Sequence, residues 1–540
     1  MSKTGGEALV ESIKAKGVEV VFGIPGVQLY HLMDAFYKNP EINFIVTRHE
    51  QGAAYMADGY ARASGKEGVC VVVPGPGLLN ASAAIGTAYS ASSPVLVLTG
   101  QINKDFIGVE GGELHEIHEQ LDVMKPITKS AERVVDASQI EAAVERAFYQ
   151  LRTGRPRPVE IEVPPDTFAE EFDDSNFSPK NEEYPLLYPK EEDLLEAAKL
   201  LSESKKTIVW VGGGVISSGA SEALTKLVDY IQSPVFTTQS GKGGFSDKHP
   251  LSMGSNGFGT NALGDFTSGY DVVLAVGTRF HSVGLEDNVK LIQIDVDDEE
   301  IGRNHPAEVG INADAKVALD LLYPIVESLV PRKNSRHKEV SEHKEKVSSK
   351  FNSVEPQASF LKAIRNAVPS DGIVVQGVTQ IGYYSRVYYE AYQPRSYITS
   401  NYFGNLGYVY PTALGAKVAC PDKAVVAISG DGGFLFNSQE LATAVKYGIN
   451  AVVLVFNDNA FGNVKRDQSN TFSGNVIGSD LLNPDFVKLA ESYGAMGIRV
   501  SNAEELEKEL TRVLEIDRNN PSQARPVLIE IPVGPMPQPW

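Results

Sequence analysis

Short apolar runs alternate along this chain with longer stretches whose apolar residues return at helical spacing. VEVVFGIPG (18–26) predicts a strand ending in a turn, and NFIVTRHE (43–50) a second strand. QGAAYMADGYARASG (51–65) carries small and apolar residues at helical spacing and stops on Gly65. GVCVVVPGPG, the helical LLNASAAIGTAYSAS and the strand PVLVLTGQ follow. Unbroken Val, Ile and Leu runs in strand–turn–helix repetition predict parallel sheets covered on both faces, an α/β class. A second block has strand candidates TIVWVGGGV, SPVFTTQ, DVVLAVGTRF and KLIQIDVDD; a third has GIVVQG, AVVAISG, AVVLVFN and PVLIEIPV. The charged, Pro-containing stretch 166–190 lacks periodicity and reads as a linker, and the charged segment 332–351, helical or loose, as a second boundary. Three domains are expected, over 1–168, 190–332 and 355–540.

The third block contains ISGDGGFLFNSQELATAVKYGINAVVLVFNDNAFG (428–462). A buried strand leads into Gly430-Asp431-Gly432-Gly433. A helix follows, which Asn437 and Glu440 could open as a capping box and Gly448 would close. AVVLVF returns as a parallel strand and delivers Asn457-Asp458 to the same sheet edge. In open α/β sheets that edge binds ligands. Glycines let backbone amides approach a phosphate, and the helix start favours an anion. Asp431, an oxygen from the second turn and phosphate oxygens form a donor set suited to Mg²⁺. The geometry therefore proposes a magnesium diphosphate site.

Composition narrows the classes. The 540 residues exceed one hydrophobic core, and the net charge of −20 argues against nucleic acid or an anionic membrane as partner. Cys70 and Cys420 lie far apart without a CxxC and read as reduced thiols. No long apolar run is present and MSKTGGEALVESIKAKG lacks a signal core, so a cytoplasmic enzyme without a membrane partner is expected.

Gly430-Asp431-Gly432, a spacer of 24 residues, then Asn457-Asp458 resembles the thiamine diphosphate (ThDP) motif, usually written GDG…NN. RHEQGAAYMADGYAR around Glu50 is similar to a segment of the acetolactate synthase, pyruvate oxidase and benzoylformate decarboxylase branch of ThDP enzymes. The resemblance implies pyrimidine-binding, central and diphosphate-binding domains, in that order. It assigns Glu50 to the aminopyrimidine of ThDP, activating the cofactor for a C2-carbanion and enamine route. It puts Pro25, Gly26 and Asn80 near the pyrimidine, Val378, Thr379 and Gln380 at the diphosphate, and Gly404 and Leu406 in the segment that props the cofactor rings. Gly430, Asp431, Gly432, Gly433 and Asp458 complete the cofactor set. Asp431, Asp458 and the carbonyl of Ala460 are the implied Mg²⁺ ligands. Asp458 stands where relatives carry asparagine; the alternative is Asn457 as ligand and Asp458 as a solvated turn residue. The family pairs chains so that Glu50 of one reaches the cofactor of the other, implying a homodimer or homotetramer.

The implied reaction is decarboxylation of a 2-oxo acid or a related carbonyl compound, or making or breaking a C–C bond beside the carbonyl. His115-Glu116 replaces the Phe-Gln of acetolactate synthases, and Lys465-Arg466-Asp467 replaces their tryptophan segment, both departures assigned to the substrate pocket. His115 is the leading proton shuttle, with His118 and His281 as alternatives and His49 read as structural. Some relatives hold FAD in the central domain and others hold nothing; the isolated Gly cluster at 211–215 leaves FAD the less expected of the two. A non-catalytic ThDP-binding homologue acting as an interaction or regulatory protein is the competing class. A dehydrogenase is disfavoured, since GxGxxG is missing from that cluster.

Overall fold

The computed structural model describes residues 2–255, 269–281, 283–329 and 331–538, the side chains of 350 and 351 excepted. Three six-stranded sheets organise it, and every strand pairing within them is parallel. The first sheet uses Val20–Gly23, Asn43–Val46, Gly68–Val72, Val95–Gly100, Ser130–Arg133 and Val159–Val163. Its spatial order is second, first, third, fourth, sixth, fifth. The third sheet repeats that order with Ile373–Gln376, Tyr397–Thr399, Val425–Gly430, Val452–Asn457, Met496–Arg499 and Val527–Pro532. The central sheet differs. Thr207–Val211, Val235–Thr237, Ser252–Ser255, Val272–Val276, Lys290–Asp295 and Val309–Asn312 run third, second, first, fourth, fifth, sixth.

The stretch 166–190 is only partly a linker. Helix Pro165–Ala169 enters it, and Glu171–Asp173 pairs antiparallel with Ser2–Thr4, so this end of the first domain folds back on the chain start. Charge hid this strand, because a two-stranded surface ribbon needs little apolar content. The segment 332–351 is helical over His337–Phe351.

Helix Glu50–Ser64 is buried along most of its length and crosses helix Val409–Ala419 of the third domain. Glycine makes the close crossing possible. A Cβ on Gly59 would collide with the carbonyl oxygen of Thr412, and one on Gly415 with that of Met56. The two backbones therefore touch, and one apolar cluster runs from Ala53, Tyr55 and Met56 into Tyr408, Ala413 and Leu414. First and third domains share a core; the central domain has its own, around Leu194, Val211, Leu274 and Leu319.

The glycines of 211–215 serve packing. The N–H of Gly212 donates to Val276 O and that of Gly214 to Gly277 O, and a Cβ on either glycine would run into the Gly277 backbone.

Candidate active site

Strands Val425–Gly430 and Val452–Asn457 lie side by side, with Val426 opposite Val452 and Gly430 opposite Phe456. Both end at one sheet edge. Asp431 opens the short helix Asp431–Leu435, and Asp458 follows the second strand directly. Helix Glu440–Tyr447 between them closes on Gly448, whose left-handed backbone lets its N–H reach Ala444 O and Val445 O. The expected capping box does not form. Asn437 and Glu440 turn away from the helix start toward the first domain, where other donors and acceptors hold them.

A cleft of about 110 Å³ lies at this edge. Val378, Thr379, Gln380, Leu406, Gly430, Asp431, Gly432, Gly433, Asp458 and Ala460, all singled out in the sequence, line it together. Asp431 is buried and accepts from Asn483 Nδ2 at 2.6 Å. Asn457 is spent elsewhere: its amide donates to Glu530 Oε1 at 2.9 Å, and its oxygen accepts from the N–H of Asn459 and from Asn483. That leaves Asp458 as the second-turn side chain beside Asp431. Burial, reinforced by the Asp431 charge, pushes the Asp458 carboxyl up to about 6, and burial also raises Asp431. No lysine or arginine is among the lining residues. Two adjacent carboxylates in such a cleft call for a cation, and an anionic diphosphate there would need one too. A buried, unpartnered Asn483 Oδ1 adds a further oxygen donor at this edge. The donor set is therefore all oxygen, as a hard divalent ion requires.

A second cluster forms in the first domain. Glu50 is the first residue of helix Glu50–Ser64, and Asn80 Nδ2 donates to its Oε2 at 3.0 Å. Gly77 lies beside the Glu50 stem, and Gly26 fits so tightly on Val73 that a Cβ would overlap it. Pro25 is exposed on the adjoining turn. His115 joins this neighbourhood: its Nδ1 faces Gln28 Oε1 at 3.1 Å and its backbone packs on Gly75. Within one chain these residues do not line the cleft of the third domain, and neither does Gly404.

The other histidines and the charged segment after the second turn lie as follows. His118 is exposed and pairs with Glu110 on the surface, and His281 is exposed as well. His49 accepts from the N–H of Gln51 and caps the helix, a structural use. Lys465, Arg466 and Asp467 are not among the residues lining the cleft. Lys465 pairs with Asp480, and Arg466 with Asp467 and Asn463, from helix Gly462–Thr471.

Sequence reasoning missed Asn483, which bridges Asp431, Asn457 and Asn459 from 26 residues beyond the second turn, a separation no local motif reports. It also missed the start of helix Gly462–Thr471, whose Gly462, Asn463 and Val464 complete the cleft wall. Gly462 is a close approach in the structure, where a Cβ would strike Asp458 Oδ2.

Three family models match in succession: the N-terminal TPP binding domain of thiamine pyrophosphate enzymes over residues 3–125, the central domain over 194–322 and the C-terminal TPP binding domain over 377–531. A probable acetolactate synthase large subunit from Methanocaldococcus jannaschii is 37% identical, covering 98% of this chain and 92% of the relative. The chain belongs to the acetolactate synthase-like ThDP enzymes. The acetolactate synthase large subunit of Haemophilus influenzae is 33% identical over 95% of the chain and 92% of its own length. That of Corynebacterium glutamicum is 32% identical over 99% and 88%. As a family member this chain is a ThDP enzyme acting on a small carbonyl substrate. No described helix is long and apolar enough to cross a membrane.

Proposed function

We propose that the chain is a ThDP- and Mg²⁺-dependent decarboxylase or carboligase of 2-oxo acids, working as a homodimer or homotetramer in the cytoplasm. The observation that carries this reading is the separation of two complementary half-sites. Asp431 and Asp458 share the third-domain cleft, while Glu50 and Asn80 sit together in the first domain. A second copy bringing its Glu50 half-site to this cleft would complete the site. The proposed domains are 1–168, 190–332 and 355–540.

When bound, ThDP supplies a nucleophilic ring carbon and an electron sink for the substrate carbonyl. The chain supplies the rest. Asp431, Asp458 and the Ala460 carbonyl would hold Mg²⁺, and the amides of Gly430–Gly433 would receive the diphosphate. Glu50 would exchange a proton with the aminopyrimidine through its carboxyl oxygen, with Asn80 fixing the orientation of that carboxylate. His115 would deliver or remove a proton near the substrate, held by Gln28. Leu406 would support the cofactor from the cleft wall.

The test is a panel of 2-oxo acids assayed with ThDP and Mg²⁺, with and without aldehyde acceptors, on wild type and Glu50→Gln. Wild type should consume at least one 2-oxo acid, and Glu50→Gln should lose roughly 100-fold or more of that rate while still binding ThDP. Full turnover in Glu50→Gln would sink the proposal. Cofactor binding without any turnover in wild type would favour a regulatory homologue instead.

A further inference from the structure

The turn between strand Asn43–Val46 and helix Glu50–Ser64 ends on Glu50, and the third domain holds that turn at three points. The N–H of Val46 donates to Tyr447 Oη at 2.9 Å. The N–H of Arg48 donates to both oxygens of Glu440, at 3.2 Å each. Asn437 Nδ2 donates to Gln51 Oε1 at 2.8 Å and to Gly407 O at 2.9 Å.

Glu440 is the centre of this grip. Its side chain is fully buried, and Thr443 Oγ1 donates to its Oε2 at 2.6 Å. Room for it is made by Gly52, where a Cβ would collide with Glu440 Oε1. A buried carboxylate is costly unless donors surround it, and here the donors are the backbone of the turn that presents Glu50. Moving that turn would leave the buried carboxyl oxygens without their backbone donor, so Glu440 fixes where the helix begins.

We propose that Glu440 is a positioning residue: through Arg48 N–H and the notch at Gly52 it sets the location of Glu50 relative to the cofactor's aminopyrimidine. The proposal rests on the functional reading above. Glutamine at this position keeps the volume but turns one acceptor into a donor facing the amide donors of the turn, so the start of the helix must shift. Small misplacements of a proton-transfer group are expensive.

The measurement is exchange of the cofactor C2 proton into deuterated buffer in the holoenzyme, followed by NMR after acid quench. ThDP affinity, KM and melting temperature are measured alongside. Glu440→Gln should slow exchange roughly tenfold or more and lower kcat with KM little changed, while ThDP affinity stays within about threefold. Thr443→Val, which removes one donor to the same carboxylate, should slow exchange about threefold. It carries the test alone if Glu440→Gln fails to fold. Exchange within about twofold of wild type in the folded variants overturns the proposal. So does a loss of ThDP affinity and melting temperature that tracks the loss of exchange, since that is plain destabilisation. Glu50→Gln separates the two claims: unchanged exchange in that variant defeats the functional reading itself.

Discussion

The first and third sheets run in the same strand order, yet they place opposite chemistry at equivalent turns. After its third strand the first sheet carries Pro74-Gly75-Pro76-Gly77, whereas the third carries Gly430-Asp431-Gly432-Gly433. After the fourth strand one has Gln101 and the other Asn457-Asp458. Their supports differ as well. The Gly75 N–H donates to Gln120 Oε1 at 2.8 Å, and Gln120 donates to Glu162, which also accepts from Gln101 and Arg133. That turn is held by a network whose charge is balanced within the protein. Asp431 and Asp458 face each other without a lining cation, so the third-domain turn is balanced only when a cation arrives. The same architecture supports a turn whose polar groups are satisfied within one domain and a turn left short of positive charge in the other, because the sheet supplies position and the turn residues supply chemistry.

Asp431→Ala should break the contrast most severely. It removes one of two paired carboxylates, and ThDP binding in the presence of Mg²⁺ should weaken by about 4 kcal/mol, read by calorimetric titration. Next is the shared boundary between the two domains. Burial pushes the Glu440 carboxyl up to about 7 from 4.5, opposed by Thr443 and by the backbone N–H groups of Arg48 and His49; those two residues, with Glu50, are the ionisable groups on the facing turn. The folded state therefore binds this proton more tightly than the unfolded state. Stability from this group is fully present below pH 4.5 and is lost as pH rises toward 7, on the order of 3 kcal/mol in all. Denaturant melts across that window should slope accordingly in wild type and flatten in Glu440→Gln; equal slopes would contradict the assignment.

Gln120→Ala tests the internally satisfied turn. It cuts the link from Gly75 to Glu162, and turnover should fall about tenfold with ThDP affinity nearly unchanged, because the diphosphate cleft is untouched. A large affinity loss would mean that the two turns are not independent. Asp458→Asn should have the smallest effect. It restores the family's usual residue and relieves repulsion with Asp431, so the Mg²⁺ concentration for half-activation should shift by less than about tenfold.

The interior of the third sheet, and all but one interior strand of the first, were legible because those strands are unbroken apolar runs rich in β-branched residues. Edge strands were harder. Ser130–Arg133, Ser252–Ser255, Tyr397–Thr399 and Met496–Arg499 all lie at sheet margins or are short, and an edge needs fewer apolar residues. Val159–Val163 escaped for another reason: Glu160 and Glu162 interrupt it, and both are buried. At the cleft, residues joined by one βαβ unit could be read from spacing. Asn483 could not, since its approach to Asp431 depends on how the chain returns after helix Gly462–Thr471. Asn437 and Glu440 show the opposite failure. Their local pattern is a capping box, but partners in the first domain compete for both side chains and win.

The backbone contact between helices Glu50–Ser64 and Val409–Ala419 limits how this enzyme can move. With Gly59 seated on Thr412 and Gly415 on Met56, there is no side-chain layer that could act as a lubricant between the two domains. A hinge between the two ThDP domains of one chain would have to part backbone from backbone at both glycines.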